Sequence, residues 1–148
     1  MRAQTYKREE AVIMINREEL VKRAVEARLR AYSPYSNFCV GAAILCDDGE
    51  IFEGANIENA SYGVANCAER TALFTAVYAG KRNFRAICVV GSRRGEEISE
   101  FCAPCGICRQ ALDEFFPRDA EVILFDGKDM KIKTLAEMLP EAFDRSSL

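Results

Sequence analysis

With 148 residues, 49% of them hydrophobic, and 20 basic against 23 acidic side chains for a net charge of -3, the chain fits one compact domain and lacks the basic excess of a non-specific nucleic-acid binder. No apolar run reaches the roughly eighteen residues of a membrane span, and residues 1–10 are too polar for a signal peptide, so a cytoplasmic location is expected. Seven cysteines, an odd number, read as metal ligands plus buried thiols rather than a disulfide framework; with no histidine, any zinc must be held mainly by sulfur and any acid/base must be a carboxylate.

Residues 1–15 start charged and end in the apolar run 11–15; they read as an N-terminal extension to a single domain over 16–148. Asn16 followed by Glu19 is a capping-box pattern, and Leu20, Val21, Ala24, Val25 and Leu29 then share one apolar face, predicting a helix to about residue 31. Ser33-Pro34-Tyr35-Ser36 stops it. Phe38–Cys46 and Ile51–Ala55, joined by Asp47-Asp48-Gly49, predict a hairpin, and 56–65 a polar loop. Asn66 is placed to cap a second helix from 67 to a stop at Gly80, apolar on nearly all sides and expected to be buried. A buried strand at 86–91, a charged connection at 92–100, a third helix opened by Pro104 over 105–116, a strand at Glu121–Phe125 and a short helix at 134–138 complete the pattern. A hairpin followed by alternating helices and strands gives an α/β fold, a mixed sheet with helices on both faces.

Two pieces of this chain carry chemistry. Cys67-Ala68-Glu69-Arg70 and Pro104-Cys105-Gly106-Ile107-Cys108-Arg109-Gln110 both fall at predicted helix starts, where free amide hydrogens and the positive end of the helix dipole favour a thiolate. Cys108 lies one turn beyond Cys105 on the same face, so one metal can take both. Cys67, Cys105 and Cys108 make three ligands and leave a tetrahedral position for water, with Glu69 as an acid/base that does not bind metal. Three thiolates on Zn²⁺ leave a net charge near -1, and Arg70 and Arg109 are the candidates to donate to the ligand sulfurs. Plainer readings exist for each piece: Cys67 as a small buried residue, Glu69 as the capping-box partner of Asn66, the arginines as solvated side chains. The spacing Cys102-x-x-Cys105-x-x-Cys108 also evokes an iron–sulfur run, but no fourth cysteine follows it. Cys39, Cys46 and Cys88 lie within predicted strands and read as core thiols; Cys102 reads as a core or surface thiol rather than a ligand.

These motifs, with Pro34-Tyr35-Ser36, the run from Phe38 to Ala43 and the run from Gly54 to Tyr62, resemble the small homotetrameric zinc-dependent cytidine deaminases over roughly residues 20–143. The resemblance implies a three-layer sandwich around a sheet of about five strands, one zinc per subunit on Cys67, Cys105 and Cys108, and Glu69 moving protons from the attacking water to N3 and the departing amine of a cytosine nucleoside. It further implies that Asn56 and Glu58 grip the ribose, that Phe38 packs on the pyrimidine, that the Ala68 backbone contacts the base, and that Phe143 reaches a neighbouring subunit's site. Ala103 departs from the usual serine; its expected role falls to the backbone carbonyl, so activity should survive. A pyrimidine-salvage enzyme with a nucleoside substrate, no nucleic-acid partner and no membrane partner is the expected function. The rivals are a blasticidin S-type deaminase, disfavoured by the Asn56-Ile57-Glu58-Asn59-Ala60 run, and a non-enzymatic zinc-binding module, which would normally close its site with a fourth ligand.

Overall fold

The computed structural model describes residues 14–148, so the expected extension, apart from Met14 and Ile15, lies outside the described residues. β1 (Phe38–Cys46) and β2 (Ile51–Ala55) form the hairpin at the predicted positions. Its turn is made by Gly49 at φ 92°, with the Asp48 carboxylate accepting from the Glu50 amide. β3 (Phe84–Arg93) pairs antiparallel with the other edge of β1, and β4 (Glu121–Phe125) runs parallel to β3. Parallel neighbours need a long crossover, and α3 (Gly106–Phe115) provides it. β5 (Met130–Thr134), which the sequence reading did not locate, returns antiparallel to β4 and completes the order β2-β1-β3-β4-β5.

The central strands read as continuous apolar runs because both faces of the sheet are covered. Ala43, Leu45, Ala86, Cys88, Val90 and Ile123 face α1 (Arg17–Arg28), against Leu20, Val21 and Ala24. Ala42, Ile44, Ile87, Val89 and Val122 face α2 (Ala68–Tyr78) and α3, against Ala72, Leu73, Ala76 and Leu112. This is the expected three-layer α/β sandwich. Side chains such as Leu20, Ile44, Leu73 and Ile123 are fully buried, and each contributes about 1.5–3 kcal/mol relative to exposure. Cys39, Cys46 and Cys88 are buried, as read from the sequence.

α1 begins as predicted, with the Asn16 side chain accepting from the Glu19 amide at 3.0 Å, but ends at Arg28 rather than near residue 31. α2 is not buried all round: Ala68, Glu69, Ala72, Leu73 and Ala76 face the sheet, while Phe74 is 50% and Tyr78 94% exposed. The last helix, α4 (Leu135–Met138), starts from a complete Thr134–Glu137 capping box. Among the described residues no helix is long and apolar enough to cross a membrane.

Two glycines set how closely the helices approach the sheet. A Cβ on Gly41 would stand 2.0 Å from the Ala24 carbonyl oxygen on α1, and one on Gly54 2.4 Å from the Ala72 amide nitrogen on α2. Backbone cannot yield as a side-chain tip can. Gly41→Ala and Gly54→Ala are therefore expected to destabilise by about 3 kcal/mol or more, measured by urea unfolding. An unchanged midpoint would mean that the helices are not seated this tightly. Because α2 carries Glu69, the Gly54 variant should also lose activity, which the Gly41 variant should do less.

Candidate metal centre and active-site cavity

Cys67 and Cys105 sit at the N-cap positions of α2 and α3, with extended backbones (ψ 156° and 168°) and no side-chain capping bond from a backbone amide of the helix. The sequence reading placed both inside the first turn and gave the α2 cap to Asn66. Instead Asn66 bridges its backbone to Ile57 and donates its side-chain amide to Thr71 Oγ1. Pro104 likewise precedes the α3 cap rather than opening the helix. The consequence is chemical: sulfurs not spent on capping can turn toward each other, while the helix N-termini keep the region favourable for thiolates.

The Sγ atoms of Cys67, Cys105 and Cys108 lie within 4.8 Å of one another, and Cys67 and Cys105 are 3.9 Å apart. A tetrahedral zinc with bonds of about 2.3 Å holds its sulfurs about 3.8 Å apart, so this donor set fits the metal. Cys67 Sγ accepts from Arg70 Nη2 at 3.4 Å. Arg109 does not reach a sulfur. Its Nε donates to the Pro104 carbonyl at 2.7 Å and its Nη1 to the Met138 carbonyl at 2.8 Å, so it ties down the backbone leading into Cys105. The Cys67 thiol is drawn down to about 5, chiefly by its hydrogen bond with Cys108 and next by Arg70. Cys108 is pushed up by the same bond, by burial and by the charge of Glu69.

Glu69, in the first turn of α2, is 4% exposed and lies outside the ligand triangle. Burial raises its pKa first of all, and the negative charge at Cys67 adds to the effect, while Cys108 and Arg70 oppose it. A carboxyl held in this way takes up a proton more readily than one in water.

A cavity of about 210 Å³ opens over these groups. Its walls come from Val40 and Asn56 at the ends of the hairpin strands, from Cys67, Ala68 and Glu69 at the start of α2, and from Cys102, Ala103 and Cys105 before α3. Asn56 and Ala68, expected at the substrate, are thus brought together with Glu69. Asn56 also closes the hairpin, accepting from the Val40 amide at 2.8 Å and donating to the Phe38 carbonyl at 2.9 Å. Ala103, whose backbone carbonyl is expected to serve the site, lines the cavity, and so do Val40 and Cys102, which the sequence reading does not place there; alternation along β1 with Ala42 and Ile44 is the signal available for Val40.

The other expected substrate residues lie further out. Phe38 is at the rim, in an adjoining groove. Glu58 lines a separate recess with Tyr35 and Tyr62, and its carboxylate accepts from Ser36 Oγ at 2.5 Å and from the Tyr35 and Ser36 amides. These bonds, led by that from Ser36, lower its pKa and keep it charged. Phe143 is 63% exposed and outside the cavity; its carbonyl accepts from Gln110 Nε2 at 2.7 Å. Cys102 is outside the sulfur triangle, as read from the sequence; burial, then the charges of Glu69 and Cys67, push its thiol up to about 11.

Comparison with known proteins agrees with this geometry. The chain is 48% identical over 130 residues to a cytidine deaminase of Halalkalibacterium halodurans, covering 87% of this chain and 95% of that one. A crystal structure of cytidine deaminase from Burkholderia pseudomallei superposes with a TM-score of 0.79 at 47% identity, over 88% of this chain and all of the other. A blasticidin-S deaminase of Bacillus cereus is similar at 32% identity, over 86% of this chain and 92% of its own. The family model for the cytidine and deoxycytidylate deaminase zinc-binding region matches residues 14–125. Its zinc-binding character agrees with the three clustered thiols, and the chain belongs to the cytidine and deoxycytidylate deaminase family.

Proposed function

We propose that this protein hydrolyses cytidine and 2'-deoxycytidine to uridine and 2'-deoxyuridine, releasing ammonia. The observation that carries this reading is a buried glutamate beside three clustered cysteine sulfurs, at a cavity. Cys67, Cys105 and Cys108 would hold a zinc ion, whose chemistry when bound is to make water acidic enough to serve as a nucleophile near neutral pH. Glu69 would take a proton from the attacking water, give one to N3 of the base, and later protonate the amine that leaves from C4. Its burial, the first cause that raises its pKa, favours a carboxyl that can hold the proton between these steps. Arg70 balances the negative charge of the thiolates, and Arg109 fixes the approach of Cys105. Asn56 and the Ala68 backbone orient the nucleoside, Phe38 covers the base from the rim, and Glu58 serves the ribose by holding the Tyr35-Ser36 turn.

The assembly belongs to the same proposal: residues 16–148 form one deaminase domain with 1–15 as an extension, and four copies associate so that Phe143 completes a neighbour's site. The exposure of Phe143, Phe74 and Tyr78 on a single chain supports this arrangement. The same proposal places the protein in the cytoplasm, in pyrimidine salvage. The test is to mix zinc-loaded protein with cytidine, following the ultraviolet change and ammonia release, and to sediment the same sample. Conversion to uridine by a tetramer is expected. A folded, zinc-loaded protein that leaves cytidine unchanged but deaminates blasticidin S, or deaminates neither, overturns the proposal in favour of the corresponding rival.

A further inference from the structure

Cys102 occupies a place that no zinc ligand or proton carrier explains. Two recesses meet at the site: the cavity of about 210 Å³ containing Glu69, and a groove of about 240 Å³ running past Phe38, Arg93 and Phe101. Among the described lining residues, Cys102 alone borders both. Its thiol is also wedged from below. An ideal Cβ on Gly91 would stand 2.9 Å from Cys102 Sγ and 2.9 Å from Cε1 of Phe38, so thiol and ring both rest on the bare Cα of Gly91 in β3. The side chain at 102 therefore stands as a partition with no slack on the sheet side.

We propose that Cys102 is a specificity-determining residue whose thiol closes the base cavity against the Phe38 groove and so limits the size of the group carried at position 5 of the cytosine. This rests on the deaminase reading above. On that reading C4 points to the metal end, and its two ring neighbours, N3 and C5, point to opposite walls. Glu69 on α2 takes N3, so C5 faces the wall built from the segment before α3, where Cys102 and Ala103 lie. Gly91 acts through Cys102: a methyl there drives the thiol toward the cavity or lifts the Phe38 ring.

The experiment compares kcat/KM for 5-methylcytidine and cytidine with the zinc-loaded full chain and its Cys102→Ala, Cys102→Leu and Gly91→Ala variants. One methyl group accommodated or refused in an apolar slot changes discrimination by about tenfold or more. Cys102→Ala should raise the ratio of 5-methylcytidine to cytidine by about that factor, and Cys102→Leu should lower it. Gly91→Ala should lower it as well, and adding Cys102→Ala to Gly91→Ala should restore it, which a general loss of stability would not do. A ratio constant across these variants, in a protein that deaminates cytidine, overturns the role of Cys102 and leaves the deaminase reading standing. Failure of the unsubstituted protein on both nucleosides overturns the two together. Calorimetric binding of the two nucleosides to the Glu69→Gln protein gives the same comparison without turnover, with the same ordering expected.

Discussion

Glu69→Gln should retain its zinc and its fold and lose turnover by about 10²–10⁴-fold or more, the range in which a positioned proton carrier contributes. The residue lies outside the sulfur triangle, so metal content should stay near one per chain by atomic absorption. Glutamine matches glutamate in shape, so the 4% exposed position gains no void, and the burial that raises the carboxyl pKa acts on an amide without charge. What disappears is the capacity to accept and return a proton. The loss should fall in kcat while cytidine binding by calorimetry stays within a few-fold, because the lost interaction belongs to the reacting state. Loss of zinc, or retention of full activity, would remove Glu69 from its assigned role.

The parts of this fold that could be read from the sequence are those where one physical pattern dominates. β1 and β3 are apolar on both faces, and the Asp47-Asp48-Gly49 turn between β1 and β2 has a positive-φ glycine where the hairpin needs one. β5 escaped because it is an edge strand: Lys131 and Lys133 interrupt it, and Met130 and Ile132 remain partly exposed, so its alternation resembled a polar connection. Phe74 and Tyr78 read as core because composition cannot say whether an apolar face is covered by the same chain or left uncovered.

The site divided along the same line. Cys67, Glu69, Cys105 and Cys108 could be read because thiols at two helix starts and a nearby carboxylate are a chemical set whose members converge if the helices do. Arg109 and Glu58 could not, because a long or exposed side chain chooses among several partners by distances that only the folded chain fixes. Arg109 finds the carbonyls of Pro104 and Met138 rather than a sulfur, and Glu58 finds Ser36. The same limit hid Cys102, which lies in the connection before α3 and whose neighbours Gly91 and Phe38 arrive from β3 and β1.

Cys105→Ser should separate ligation from proton transfer by failing differently from Glu69→Gln. Its sulfur is 3.9 Å from that of Cys67 and shares the triangle with Cys108 at the junction of α2 and α3. A zinc held by Cys67, Cys105 and Cys108 would tie the starts of α2 and α3 together, so the metal is expected to stabilise the fold as well as serve the reaction. A ligand bound at 1,000 times its dissociation constant contributes about 4 kcal/mol, which for a chain of this size corresponds to roughly 10 °C in Tm. Cys105→Ser should therefore fall below about a tenth of the normal zinc content, lose activity entirely and melt about 10 °C lower in zinc-containing buffer, the shift disappearing when both proteins are measured in chelator. Cys88→Ser, at a buried thiol remote from the triangle, should lose stability yet bind a full equivalent of zinc, because that thiol faces α1 across the sheet. If Cys105→Ser kept its zinc, or if Cys88→Ser lost it, the ligand set would have to be redrawn. With both outcomes as expected, the metal requirement is assigned to Cys67, Cys105 and Cys108 as a unit, and the loss in Glu69→Gln can be read as proton transfer alone.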